Sequence, residues 1–126
     1  GTELLTKEGM KDTVEALAGK QHIMVYFSAH WCPPCRGYTP ELSAGYAQST
    51  KKAETAIVFV SSDRDQAAFD AYYSEMTLFA LPFTERAKKE ALSSAYNVRG
   101  IPTLVLLDGA GKLVEGNVRS QHGKYL

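Results

Sequence analysis

The sequence predicts an α/β fold built on a central, partly parallel sheet, and three observations carry that prediction. Three short runs, Ile23 to Phe27, Ala56 to Val60 and Leu104 to Leu107, are apolar at every position. That is the pattern of strands covered on both faces. Helical stretches separate them, from about Cys32 to Lys52, Asp65 to Met76 and Glu85 to Tyr96; strands that alternate with helices place those helices against a sheet. Both cysteines, Cys32 and Cys35, follow shortly behind the first run.

In chain order, Met10, Val14 and Leu17 recur at helical spacing and predict a first helix, with Thr6 as its cap and Gly19 as its stop. The run from Ile23 to Phe27 is the first strand. Pro40 lies inside the helix that follows, where it removes one backbone bond and clashes with the carbonyl four residues back, so a kink is expected. After the second run, Tyr72, Tyr73 and the segment Phe79 to Phe83 read as core. Asp108-Gly109-Ala110-Gly111 reads as a hairpin turn into a short edge strand, Lys112 to Glu115. Repeats, linkers and low-complexity segments are lacking.

At 126 residues and 44% apolar composition, residues 1–126 are expected to form a single domain with a core of its own. Fourteen basic side chains balance fourteen acidic ones, so no net charge draws the chain to nucleic acid or to an anionic membrane. No apolar stretch approaches the eighteen or so residues of a membrane span, and the N-terminus lacks the basic and apolar regions of a signal peptide. Gly1 in first position is compatible with processing. Two cysteines, both in one motif, give no secreted disulfide framework. The expected compartment is cytoplasmic or nuclear.

Trp31-Cys32-Pro33-Pro34-Cys35-Arg36 carries the chemistry. A thiol attacks a disulfide only as a thiolate. Pro33 and Pro34 suit the first turn of a helix, where their missing N–H groups would have no partner and their fixed φ is already helical. Cys32 then falls at the helix N-terminus, where free N–H donors and the helix dipole favour a negative sulfur. Such placements lower a cysteine pKa from about 8.5 into the range of about 3.5 to 7.5. Cys35, one turn further in, would be the more buried, resolving thiol.

The pair has two plainer possible uses. Structural zinc needs four ligands, and His22, His30 and His122 do not stand at ligand-pair spacing. A permanent disulfide closing so small a ring would constrain little of the unfolded chain. Redox use is the stronger reading.

These residues resemble the thioredoxin superfamily, and within it the tryparedoxin and nucleoredoxin group. The resemblance covers roughly residues 22 to 119. Its most specific stretch runs from Phe27 to Pro40 around Cys32-Pro33-Pro34-Cys35; a second match is Val60-Ser61-Ser62-Asp63-Arg64, followed by Phe69 and Tyr73 to Met76, and a third is Gly100-Ile101-Pro102-Thr103. The resemblance implies a thioredoxin-like fold, a mixed sheet flanked by helices. It implies that Pro102 is cis beside the cysteines, that Ile101 offers backbone hydrogen bonds to an extended substrate, and that Trp31 shields the sulfur and presents a flat surface. Pro33, Pro34 and Arg36 complete the implied support. A trans Pro102 opening a strand and a core Trp31 are the ordinary alternatives.

The chain also departs from the family. Where thioredoxin has a buried acid six residues before its first active cysteine, Tyr26 stands here. Asp63 is the substitute proton acceptor suggested for Cys35, with a helix cap as its equal alternative. Ser62-Asp63 replaces the Trp-Asp pair of tryparedoxins, and Met76-Thr77-Leu78-Phe79 replaces their Met-Pro-Trp-Leu. Arg119 aligns with a basic residue near the tryparedoxin site, or is solvated surface. His30 could assist a Cys32 thiolate but reads first as an exposed polar residue. Ser120 to Leu126 are too few for the family's long final helix, so that helix is expected to be short or missing, as in a module or shortened form of a longer chain. The uncovered face would then favour self-association, which sedimentation would detect.

The expected function is dithiol–disulfide exchange, with Cys32 attacking a protein disulfide, Cys35 resolving it, and an upstream dithiol or reductase returning the electrons. No metal or organic cofactor is implied. The rival readings are a redox-sensitive protein-binding module with little turnover, and an oxidase or isomerase working at higher potential.

Overall fold

The computed structural model describes residues 3–49 and 54–120. With β1 at Glu3–Thr6 and β2 at Gly9–Asp12, four further strands form the middle of a seven-stranded sheet of order β2-β1-β5-β4-β3-β6-β7. They are β3 (His22–Ser28), β4 (Thr55–Ser61), β5 (Phe79–Ala80) and β6 (Thr103–Asp108). β3 runs parallel to β4, which runs parallel to β5, while β6 lies antiparallel to β3. β7 (Leu113–Glu115) continues from β6 through the expected hairpin.

Successive strand side chains point to opposite faces, so an all-apolar run must be covered twice. Met24, Tyr26, Ile57, Phe59, Leu104 and Leu106 form one face, packed under Leu42 and Tyr46 of α2 (Pro33–Ala47) and Phe69, Tyr72 and Tyr73 of α3 (Gln66–Tyr73). Ile23, Val25, Phe27, Val60, Val105 and Leu107 form the other, against Leu92 and Tyr96 on and just after α4 (Arg86–Ala95) and Leu17 of α1 (Thr13–Leu17). Helix α4 has no fully buried side chain. An apolar groove of about 340 Å³ remains on this face, lined by residues that include Leu17, Val25 and Leu92.

The N-terminal expectation is corrected. Glu3–Thr6 and Gly9–Asp12 form a hairpin, β1 and β2, and only the single turn of α1 follows. Thr6 is no helix cap: its hydroxyl donates to the Gly9 carbonyl at 2.7 Å and steadies the hairpin turn. Asp12 caps α1 by accepting from the Glu15 N–H. Met10 and Val14 are 52% and 78% exposed, so their helical spacing marks no buried face. Helix α2 runs through Pro40 and ends at Ala47, short of Lys52, which lies outside the described residues. Residues 121–126, on which the expectation about the final helix rests, also lie outside them. Among the described residues no helix is long and apolar enough to cross a membrane.

Candidate active site

The site lies where β3 and β4 reach their C-terminal ends and α2 begins. Cys32 is the N-cap residue of α2, in extended conformation, with Pro33 and Pro34 in the first turn. Its N–H donates to the Ala29 carbonyl at 3.2 Å, and its own carbonyl accepts from the Arg36 N–H at 3.0 Å. The Cys32 sulfur sits 4.0 Å from the Ile101 carbonyl oxygen. Cys35 is fully buried one turn along, its thiol directed at the Cys32 sulfur 2.7 Å away. Burial, and then the hydrogen bond with Cys32, push the Cys35 thiol up to about 11, while hydrogen bonds from Ser28 and the Ala29 backbone act in the opposite sense.

Trp31 is half-exposed. Its Nε1 donates to the Ser62 carbonyl at 3.0 Å, and the Arg64 guanidinium lies 5.8 Å from the ring centre. It is therefore a surface beside Cys32, not a core side chain. The Ile101–Pro102 peptide is cis. Pro102 is buried, and Ile101 packs against Ala29, Cys32 and Cys35. The Arg119 guanidinium donates to the Pro102 carbonyl at 3.3 Å, which puts Arg119 at the rim of the site. A groove of about 310 Å³ starts at Trp31 and Ile101 and runs past Ser62, Lys89, Ser93 and Val98.

Asp63 is brought to the site in a role the sequence did not suggest. Its buried carboxylate accepts from the His30 N–H at 2.8 Å and from the Ser61 hydroxyl at 2.6 Å. Arg86, whose guanidinium reaches the Ser61 carbonyl, supplies the opposite charge. Asp63 thus ties the loop before Cys32 to the end of β4. The helix cap is Asp65, which accepts from the Ala68 N–H at 2.8 Å.

A cluster of buried hydroxyls behind Cys35 was missed. Tyr26 and Thr39 are linked at 2.6 Å, Ser28 and Tyr72 at 2.7 Å, and Thr39 also bonds Tyr72. The one signal available was Ser28 itself, a polar residue closing an otherwise apolar strand. On the outer side of this cluster, a cleft of about 220 Å³ is lined by His30, Arg36, Thr39, Pro40, Tyr72 and Glu75. His30 stacks on Tyr72 with ring centres 5.1 Å apart, and its Nε2 is 3.9 Å from the Glu75 carboxylate. Among the described residues no group of three or more His, Cys, Asp or Glu side chains is placed to hold a metal ion.

Comparison with known proteins agrees with this arrangement. A thioredoxin-like family profile matches residues 19–113. Probable nucleoredoxin 1 of Arabidopsis thaliana is 46% identical over 117 residues, which are 92% of this chain and 20% of that protein. This chain therefore spans about a fifth of that relative's length. Tryparedoxin of Trypanosoma brucei brucei is 36% identical over 121 residues, covering 95% of this chain and 83% of its own. The structure of tryparedoxin II from C. fasciculata superposes with a TM-score of 0.89 at 34% identity, covering 98% of this chain and 82% of that one. With the profile spanning most of the sequence and the likeness to tryparedoxin spanning most of both chains, this chain belongs to the thioredoxin-like family of oxidoreductases, among the nucleoredoxins and tryparedoxins.

Proposed function

We propose that the chain reduces protein disulfides, with Cys32 as the attacking thiolate and Cys35 as the resolving thiol. The observation that carries this is the asymmetry of the pair. Cys32 caps a helix beside the half-exposed Trp31 and the Ile101 carbonyl and keeps a small opening to solvent, 5% of its surface, whereas Cys35 is fully enclosed and holds its proton up to about 11. An extended substrate lies in the groove from Trp31 past Ile101. Cys32 forms a bond to one substrate sulfur and the other departs, taking up a proton. Cys35 then bonds to Cys32 and releases the second substrate thiol, leaving the Cys32–Cys35 disulfide. A dithiol or an upstream reductase returns two electrons. Trp31, Pro33, Pro34, Ile101 and Pro102 shape the docking surface, Asp63 holds the loop, and Arg36 lies at the rim.

Insulin reduction with dithiothreitol as donor tests the assignment. Cys32→Ser is expected to abolish turnover, and Cys35→Ser to accumulate a mixed disulfide through Cys32, visible as a mass increase. Turnover that survives Cys32→Ser overturns the proposal. The redox potential of the pair, followed through Trp31 emission, is expected between about −230 and −270 mV; a value near about −180 mV would move the chain to the oxidants and isomerases.

A further inference from the structure

Resolution of the mixed disulfide requires Cys35 to lose its proton while it is enclosed and while burial holds that proton on. Asp63, the acid suggested for this task by sequence, is turned to the His30 amide and the Ser61 hydroxyl. What lies beside Cys35 instead is a string of neutral hydroxyls. Ser28 is near enough to draw the Cys35 thiol downward, and its partner Tyr72 reaches the Cys35 carbonyl at 3.5 Å. The Ser28 and Tyr72 oxygens are 2.7 Å apart, and either can donate to the other. Tyr72 bonds Thr39 in turn, and both reach the cleft under His30, whose rim residues Arg36, Pro40 and Glu75 are exposed to solvent.

We propose that the Ser28 and Tyr72 hydroxyls are a proton relay that carries the Cys35 proton to solvent in the cleft bounded by His30, Arg36 and Glu75. This deepens the dithiol exchange proposed above and rests on it. As the Cys35 sulfur bonds to Cys32, its proton moves to the Ser28 oxygen, the Ser28 proton moves to the Tyr72 oxygen, and the Tyr72 proton passes to water in the cleft. The Cys32–substrate bond breaks, and the departing sulfur is protonated by solvent. Every hydroxyl ends with the single proton it began with. Burial raises the Tyr72 phenol, and that of Tyr26 nearby, far above neutrality, so each stays protonated and able both to accept and to donate. The titratable groups facing Cys35 are Cys32, Tyr26 and Tyr72; those facing the outer end are His30, Arg36 and Glu75.

The test uses the reduced chain and 5,5′-dithiobis(2-nitrobenzoate), which releases one coloured thiolate when Cys32 attacks and a second when Cys35 resolves. Tyr72→Phe keeps the ring that stacks on His30 and removes the hydroxyl. It is expected to leave the first release unchanged at pH 7 and to slow the second by about tenfold or more, the low side of what positioned proton transfer contributes. Ser28→Ala is expected to do the same. The deficit should shrink as pH rises towards the Cys35 pKa, and the solvent deuterium isotope effect on the second release should be smaller in Tyr72→Phe than in the parent chain. Tyr73→Phe is the control, because that phenol donates to the Leu78 and Leu5 carbonyls and has no part in the string. Equal second-release rates in Tyr72→Phe and the parent overturn the relay, as does an equal loss in Tyr73→Phe. A parent chain that releases no thiolate at all overturns the dithiol assignment and the relay with it.

Discussion

At the scale of single residues, the pair of cysteines shows how one helical turn separates two identical side chains chemically. Cys35 is displaced upwards first by burial and then by its neighbour, to about 11. An unfolded chain gives up this proton near a free thiol's pKa of about 8.5, whereas the folded chain keeps it. The stabilisation is therefore complete below about pH 8.5 and is lost as pH rises through about 11. It amounts to about 3 kcal/mol. Tyr26, Tyr38, Tyr46, Tyr72 and Tyr73 shift in the same direction for the same reason of burial, and add to the loss at higher pH. Urea denaturation of the reduced chain at pH 8 and pH 10.5 checks this. Cys35→Ala is expected to lose less stability between the two pH values than the parent, and an equal loss would place the sensitivity in the tyrosines alone.

At the scale of elements, α2 carries an opportunity and the N-terminal hairpin a constraint. Gly37 lies in α2 with open space where a Cβ would go. Gly37→Ala is expected to raise stability by about 0.5 to 1 kcal/mol, since glycine costs a helix that much. Gly9 holds φ at +113°, so Gly9→Ala is expected to lower stability by about 1 to 2 kcal/mol despite the open space around it. Thermal or urea melts read both, and a stabilised Gly9→Ala would mean that the hairpin adopts another turn. The same two elements mark what the sequence could reveal. β3, β4 and β6 were legible because burial on both faces writes itself as continuous apolar runs. The hairpin was not, because Met10, Val14 and Leu17 match helical spacing without sharing a buried face, and β5 is two residues long. The redox pair was legible from spacing alone. The hydroxyl cluster was hidden because Ser28 and Thr39 meet Tyr72 across 44 and 33 residues, a meeting made only by packing α2 and α3 on the sheet.

At the scale of the whole molecule, the site stands on the best-buried part of the sheet. β4 is buried from end to end, and β3 at every position after His22. The opposite condition holds at the N-terminal edge, where β2 is exposed throughout and β1 joins the rest through one residue pair, Leu5 with Ala80. Leu4 of β1 is buried against Ala16 and Val58, and a small latch on α3 adds to that hold: the Tyr73 hydroxyl donates to the Leu5 carbonyl at 3.2 Å, and the Lys7 ammonium donates to the Tyr73 carbonyl at 2.8 Å above the same ring.

An edge held by so few bonds should open as a unit of its own, well below the free energy of global unfolding. In native-state hydrogen exchange, amides of β1 and β2 are expected to exchange orders of magnitude faster than those of β3 and β4, and Tyr73→Phe should quicken the hairpin alone. Uniform protection across the sheet would refute this hierarchy. Limited proteolysis would then begin at the hairpin, and the redox pair would go on working in molecules whose N-terminal edge has already peeled away.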